Sequence, residues 1–267
     1  MVNIFYYLWH QRSNLLRLII GDFTQNYLSS YLGFIWAFLG PLVTLSVLTI
    51  VFQVGFRVPP IDISGVPFVV WLACGMIPWL YIADGLTVGA SSITSYSFLV
   101  RKVGRFRLAI LPIIRLAASG IIHFVLVLFL LILLFYYNIN PSLYWLQFPV
   151  YLFFLYLLLL GVALFTSAIS VFIPDILNLL SIIINLGFWG TPILWHASML
   201  PSSWHWIFLA NPAYYIVQGY RDTFLEQQWI WERPVEEHIF FGLWLAILFL
   251  IGIYTFKRLR PYFADVL

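Results

Sequence analysis

The polar residues of this chain are few, and their spacing limits the chemistry that it could perform. The five histidines are scattered and never lie four residues apart, the spacing that lets two imidazoles on one helix face bind a metal ion. No Gly-Lys dipeptide occurs, although a phosphate-binding loop requires one. No two carboxylates fall together within an apolar stretch, as a proton-coupled carrier would need. We therefore predict no catalytic residue, no metal site and no ATP site in this chain, and we do not expect it to be an enzyme.

Two polar residues stand inside long apolar runs, and each has more than one interpretation. Asp84 is costly at that position unless it faces protein or water. It is therefore either a group that lines or gates a pore or a hydrogen-bonded structural residue. His123 is interpreted as a bundle residue that neighbouring groups satisfy, since a lone histidine in an apolar run is seldom a ligand.

The composition excludes a soluble protein. Of the 267 residues, 63% are hydrophobic and 9% are charged, whereas a soluble domain carries about 25% charged residues. A helix needs about 20 predominantly apolar residues to cross a membrane. We predict an all-α integral membrane protein with six spanning helices, at about residues 31–56, 67–93, 108–137, 146–172, 176–195 and 239–256.

Proline and glycine residues within these spans predict a helix kink and a close contact between helices. Pro41 lies in the middle of the first span and predicts a kink, because proline removes one helical hydrogen bond. Gly85 and Gly89 have the GxxxG spacing that allows two helices to approach closely. The glycine pair could serve packing within the chain or association with another chain.

Two further segments are not expected to span the membrane. Residues 1–21 repeat apolar side chains at helical spacing, which indicates an amphipathic helix that lies in the membrane interface or packs on the bundle. Residues 196–237 are rich in Trp and Tyr, and Pro201 and Pro212 divide this region into two short helical pieces. We expect this second segment at the interface or partly inserted in the membrane.

Positive charge indicates the orientation of the chain. Placing both termini in the cytoplasm assigns ten of the thirteen Lys and Arg residues to the inner side and leaves Arg57, Arg221 and Arg233 outside. Cytoplasmic segments of membrane proteins carry such an excess of Lys and Arg. The charges thus predict a multi-pass protein with an even number of spans and cytoplasmic termini.

Aromatic side chains within the spans are the remaining candidates for a functional surface. Aromatic residues make up 20% of the chain, and flat aromatic faces can stack on sugar rings. Those in the middle of a span are not explained by the aromatic belts at the membrane surfaces. They either line a pathway or pack within the bundle. The residues in question are Phe34, Trp36, Phe38, Tyr81, Phe188 and Trp189.

Several stretches of the chain resemble those of one known family. The best-fitting pieces are residues 26–42 (NYLSSYLGFIWAFLGPL), 75–79 (GMIPW), 188–195 (FWGTPILW), Asn211-Pro212 with Arg221 nearby, and 258–267. These pieces occur in this order in a chain with six predicted spans. Together they resemble the ABC-2 type permease subunits of bacterial polysaccharide exporters, the group that includes O-antigen and teichoic-acid exporters. The tail RLRPYFADVL is more similar to the O-antigen branch. The resemblance covers nearly the whole length and implies a single transmembrane domain over residues 1–267.

The resemblance implies a transporter in which this chain forms the channel. Two copies of the permease would enclose a channel at their interface and export a lipid-linked polysaccharide, most simply O-antigen, across the bacterial inner membrane. Two copies of a separate ABC ATPase would bind ATP and Mg below them, so this chain would itself hold no cofactor. Membrane lipids are expected partners and nucleic acid is not.

The resemblance also assigns roles to three segments. Residues 1–21 would be an interface helix, residues 95–107 a coupling helix that contacts the ATPase, and residues 198–228 gate helices at the periplasmic side. In the family an aromatic-proline pair often follows the basic residues of the coupling helix, whereas here the next proline is Pro112. The coupling residues would be Phe98, Arg101, Lys102, Arg105 and Arg107. The gate residues would be Trp204, Trp206, Tyr214, Tyr215 and Arg221.

Two other functions fit part of the sequence. An ABC-2 permease for a small molecule, such as a drug, would have the same spans but would not carry long glycans. An integral-membrane enzyme that modifies a glycan or lipid would need polar residues clustered in its spans, and the sequence lacks such clusters.

Overall fold

A computed structural model of the chain describes residues 12–27, 33–56, 66–98, 108–204 and 206–267. Over these residues the regular structure is entirely helical, which confirms the predicted all-α class. In chain order the α-helices are α1 Arg12–Tyr27, α2 Gly33–Thr49, α3 Phe68–Ala90, α4 Ile110–Tyr136, α5 Phe148–Ser170, α6 Ile176–Gly190, α7 Trp206–Leu209, α8 Pro212–Arg221, α9 Val235–Leu259 and α10 Phe263–Val266. A π-helical turn, Ile50–Gly55, extends α2.

The part of the chain that the structure describes contains five helical segments long and apolar enough to cross a membrane. They are Phe38–Gly55, Phe68–Ala90, Ile110–Tyr136, Leu143–Ser170 and Val235–Val266. The fifth predicted span, α6, is apolar but has only 15 residues. At 1.5 Å per residue it is about 22 Å long, short of a hydrocarbon core of about 30 Å. The protein is therefore a multi-pass membrane protein, and the predicted count of six spans is not confirmed.

Pro192 explains why α6 ends earlier than the sequence predicted. The sequence predicted a helix to residue 195, but the backbone at Thr191 is extended, with φ −94° and ψ 136°. The residue before a proline is disfavoured in helical geometry, because the proline ring collides with its backbone. The helix consequently ends at Gly190, and the chain that follows it lies outside regular helical hydrogen bonding.

Helix α3 lies at the centre of the bundle. Of its 23 residues, 16 are buried, against 6% of the Phe38–Gly55 segment. Its glycines permit close packing on α5: a Cβ at Gly85 would lie 2.7 Å from Leu159 Cδ1, and one at Gly89 would lie 2.7 Å from Ala163 Cβ. The GxxxG pair therefore packs two helices of the same chain.

Among the side chains that the structure describes, those of α2 and α6 leave much of their apolar surface uncovered. A large exposed apolar face on a membrane protein contacts either lipid or another protein chain. The exposed residues are Ile35, Leu39, Val43 and Val47 on α2, and Leu179, Ile182, Ile183, Leu186 and Trp189 on α6. This pair of faces is named the open face.

Helix α1 is attached to the bundle by a buried carboxylate. The predicted interface helix ended at residue 21, whereas α1 continues to Tyr27; residues 1–11 lie outside the described part. Asp22 accepts hydrogen bonds from the Tyr96 hydroxyl and from Arg115 Nη1, the latter at 3.1 Å. These contacts join α1 to the first turns of α4 and to the short turn that follows α3.

We expect Gly252→Ala in α9 to destabilise the protein. A Cβ at this position would lie 2.7 Å from the carbonyl oxygen of Gly161 in α5, so the two backbones would have to separate. Overpacking of this kind costs about 1–3 kcal/mol. Thermal unfolding of purified protein in detergent should show a melting temperature lower by several degrees.

Gly242→Ala is the matched control on the same helix. No atom outside the helix lies within 4 Å of the Cβ that would be added there, so this variant should melt like the unmodified protein. If the two variants melted at the same temperature, close backbone packing between α5 and α9 would not limit stability.

Candidate functional site

The segment between α6 and α9 is held to the bundle by the side chain of Arg221. Its guanidinium is 1% exposed and donates from Nη1 to the Pro192 carbonyl at 2.6 Å and from Nη2 to the Ile193 carbonyl at 3.0 Å. The same group lies over the ring of Trp71, 3.6 Å from the ring centroid. One side chain on α8 thus binds both α3 and the backbone that follows α6.

The sequence around Arg221 provides both the helix that carries it and the space that it occupies. Asn211 begins α8: its side-chain oxygen accepts a hydrogen bond from the Ala213 amide at 3.0 Å, and Pro212 occupies the first helical position. Gly75 on α3 provides the space, because a Cβ there would lie 2.7 Å from Arg221 Nη2. Asn211 also donates to Thr191 Oγ1 at 2.8 Å, which ties the start of α8 to the end of α6.

A second buried arginine completes what we name the arginine cluster, formed by Arg221, Asp222, Arg233 and Glu237. Arg233 pairs with Asp222 at 3.5 Å and with Glu237 at 2.6 Å. It also donates to the Tyr215 carbonyl at 2.9 Å. The cluster therefore joins the end of α8 to the first turn of α9.

Burial changes the protonation behaviour of two groups in the cluster. Burial raises the pKa of Asp222 to about 7, although the Arg233 charge acts in the opposite direction. Burial lowers the pKa of Arg221 to about 10, so the guanidinium remains charged at neutral pH. Both arginines contact backbone carbonyls or carboxylates of the chain, and the cluster consequently acts as an internal support.

The predicted gate residues divide into two groups. Tyr214, Tyr215 and Arg221 are buried. Trp204 and Trp206 are more than half exposed. Tyr215 and Arg221 contact or belong to the arginine cluster, whereas Tyr214 stacks on Phe208. The two tryptophans are the members of this set that are available to contact another molecule.

The predicted lining residues also lie in different places. Trp189 is 65% exposed at the end of α6, and the Phe188 ring beside it packs 6.1 Å from Trp79. Phe38 is partly buried on α2. The backbones of Phe34 and Trp36 lie in α2, but their side chains are outside the described part of the structure.

Tyr81, the remaining lining candidate, belongs to the interior. Its hydroxyl donates to the Leu116 carbonyl at 2.9 Å, and its ring stacks on His123 at 4.7 Å between centroids. His123 Nε2 in turn forms a hydrogen bond of 2.8 Å with the Tyr220 hydroxyl. These contacts keep Tyr81 away from the open face.

Of the five predicted coupling residues, Phe98 lies in the described part of the chain. Phe98 is more than half exposed, just after the turn Thr94–Tyr96. Arg101, Lys102, Arg105 and Arg107 lie outside the described residues. Their role stays a prediction.

Asp84 forms a contact that the structural interpretation expects, and the pore interpretation stays a prediction. It accepts a hydrogen bond from the Ser119 hydroxyl, as a structural residue would. It also lines a cavity of about 170 Å³ between α2, α3 and α4. The cavity is bounded by Pro41, Leu80, Tyr81, Asp84, Ser119, Ile122, His123 and Leu126. Within the described ranges, no group of three or more His, Cys, Asp and Glu residues could hold a metal ion.

Sequence reasoning did not single out Trp71, Asp222, Arg233 or Glu237. One signal was available: Arg233, which precedes α9, and Glu237, in the first turn of α9, are four residues apart, a spacing at which opposite charges often pair. The contact of Trp71 with Arg221 joins residues 150 positions apart and has no local sequence signal.

Comparison with known proteins identifies related chains. Residues 14–225 match the family described as ABC-2 type transporter. A protein of Klebsiella pneumoniae named O-antigen export system permease protein RfbA is 27% identical over 248 residues, which is 92% of each chain. A protein of the same name from Myxococcus xanthus is 28% identical over 231 residues, 85% of this chain and 86% of the relative.

We expect Arg221→Lys to destabilise the protein strongly. Lysine keeps the positive charge but loses the planar group that bonds two carbonyls and stacks on Trp71. Removing one partner from a buried polar network costs about 3 kcal/mol or more. Denaturant or thermal unfolding of purified protein in detergent measures the loss.

Arg260→Lys, at an exposed position, is the matched control. It should unfold at the same point as the unmodified protein. An Arg221→Lys variant as stable as this control would show that the buried guanidinium does not hold the segment in place.

Proposed function

Because the chain belongs to the ABC-2 type transporter family, we propose that it is the permease subunit that exports a lipid-linked polysaccharide, most simply O-antigen, across the bacterial inner membrane. The observation that carries this proposal is the similarity to O-antigen export permeases over about nine-tenths of the chain. The multi-pass helical structure is consistent with it.

We propose that a separate ABC ATPase, with its ATP and Mg, supplies the energy. It would dock on the basic segment of residues 95–107, where Phe98 offers an exposed apolar side chain. The Asp22 contacts to Tyr96 and Arg115 support this location, because they attach α1 to the base of the same segment. A force applied to the segment would reach α1 and α4 together.

We propose that the open face of α2 and α6 meets a second copy of the chain and encloses the path of the glycan. The burial pattern supports this choice, since only 6% of the Phe38–Gly55 segment is buried within the chain. Phe38, Phe188 and Trp189 would line the path, together with Phe34 and Trp36 from their positions on α2. Aromatic faces in such a path would stack on successive sugar rings.

The exposed Trp204 and Trp206 would form the gate at the periplasmic end of the path. They lie on the segment that the arginine cluster supports, so the gate would move relative to a fixed base. The excess of Lys and Arg in the other segments supports a periplasmic position for this segment and cytoplasmic positions for both termini.

The first test is purification of the tagged permease from native membranes in mild detergent, together with glycan analysis of a strain that lacks it. We expect an ATPase with a phosphate-binding loop to co-purify at a ratio near one to one, and lipid-linked glycan to accumulate on the cytoplasmic side. Recovery of the ATPase without trapped glycan would favour a small-molecule cargo. Recovery of the permease alone, even after crosslinking, would contradict the proposal that a separate ATPase supplies the energy.

The second test is the double variant Trp36→Ala with Trp189→Ala. We expect export to slow by about five- to a hundredfold, because each of the two aromatic contacts contributes about 0.5–1.5 kcal/mol, while protein level and ATPase binding stay unchanged. The rate of appearance of O-antigen at the cell surface after induction provides the measurement.

Trp231→Ala is the control, since Trp231 is about as exposed as Trp189 but lies outside α2 and α6. It should export at the normal rate. If the double variant also exported normally, the two tryptophans would have no part in the path, although the transporter assignment would stand.

A further inference from the structure

Two amide side chains interrupt the apolar surface of α6. Asn178 and Asn185 are both exposed, and Trp189, which is 65% exposed, follows four residues after Asn185. Because each residue turns an α-helix by about 100° and advances it by about 1.5 Å, the three side chains fall within about 40° of one another, on a line about 16 Å long. We name the line formed by Asn178, Asn185 and Trp189 the polar stripe.

A separate aliphatic surface of α6 lies beside the polar stripe. Leu179, Ile183 and Leu186 are all exposed, and they are centred about 100° round the helix from the stripe. Helix α6 therefore offers different surfaces to a polar neighbour and to an apolar one.

The polar stripe lies level with the middle of a spanning helix. A Cβ at Gly187 would lie 2.8 Å from Trp79 Cη2, and Trp79 is near the centre of the 23 residues of α3. Asn185 is two residues from Gly187, about 3 Å along the helix axis. It consequently lies at the depth of the hydrocarbon core, where an amide that faced lipid would be costly.

The chain satisfies only part of the hydrogen-bonding capacity of the two amides. Asn185 Nδ2 donates to the Ser181 carbonyl at 2.9 Å. Among the described residues, the Asn178 side chain and the Asn185 side-chain oxygen have no hydrogen-bond partner. An amide offers two donors and an acceptor oxygen, so the polar stripe requires a polar neighbour from outside this chain.

We propose that the polar stripe binds the exported glycan, with Asn178 and Asn185 forming hydrogen bonds to sugar hydroxyls and Trp189 stacking on a sugar ring. A sugar combines hydroxyl donors and acceptors with an apolar ring face, and the stripe combines amides with an exposed indole. The aliphatic surface beside it is suited to packing against a second copy of the chain. This inference rests on the proposed function, because it names contacts that the path of the proposed exporter makes.

The first measurement asks what the polar stripe faces, independently of the export rate. The chain has one cysteine, Cys74, which is fully buried, so an introduced cysteine can be labelled selectively. In exporting cells, we expect Asn185→Cys to react with a charged, water-soluble methanethiosulfonate at least about tenfold faster than Ile183→Cys, because a thiol reacts as its thiolate and ionises in water. An Asn185→Cys variant that reacted no faster than Ile183→Cys would place the stripe against lipid or a second copy and would overturn the proposal.

The second measurement is the rate at which glycan appears at the cell surface. We expect the double variant Asn178→Leu with Asn185→Leu to slow export at least about fivefold while ATPase binding stays unchanged, because two hydrogen bonds to the glycan are lost. The double variant Asn178→Gln with Asn185→Gln keeps both amides and should recover most of the rate. Ile183→Leu, on the aliphatic surface, is the control and should export normally.

The outcomes separate this inference from the proposed function. If the double leucine variant exported normally while a strain lacking the permease trapped glycan, the polar stripe would not bind the glycan and the exporter assignment would stand. If the strain lacking the permease trapped no glycan, both proposals would be overturned.

Discussion

The hydrogen bonds of the buried Arg221 to two backbone carbonyls are the interaction on which the segment between α6 and α9 depends. Pro192 ends α6, and the carbonyls of Pro192 and Ile193 therefore lie outside a helix, where nothing in lipid could satisfy them. The guanidinium supplies both donors and is itself covered by Trp71. Burying the charged Arg221 side chain is costly, but its guanidinium also donates to two buried carbonyls that would otherwise lack a hydrogen bond.

The distribution of apolar surface separates the helices that support the bundle from those that offer surface to other molecules. Helix α3 is buried by α4, α5 and α8, and its glycines allow the close contacts. Helices α2 and α6 contribute little to that interior and remain uncovered. In a membrane, where water does not drive apolar surfaces together, such an arrangement leaves the uncovered helices available for specific association.

The sequence predicted the positions of long helices better than the identity of buried faces. Helices α3, α4 and α5 begin and end within three residues of the predicted bounds, because long apolar runs have clear limits. Helix α3 is apolar on all sides, however, so periodicity could not tell that Tyr81 faces the interior while Trp79 faces α6. The contacts of Arg221 could not be predicted either, because its partners are distant from it in the sequence and only the fold brings them together.

The backbone contacts made by glycines have a mechanical consequence for the transporter. Gly252 lies against the Gly161 carbonyl and Gly89 lies against Ala163, so α9 and α3 both pack closely on α5. Close packing of this kind resists sliding of one helix past another. In the proposed exporter, a movement that widens the path would be taken up by α2 and α6, because Pro41 lies in the middle of α2, a π-helical turn follows it, and Pro192 lies just after α6.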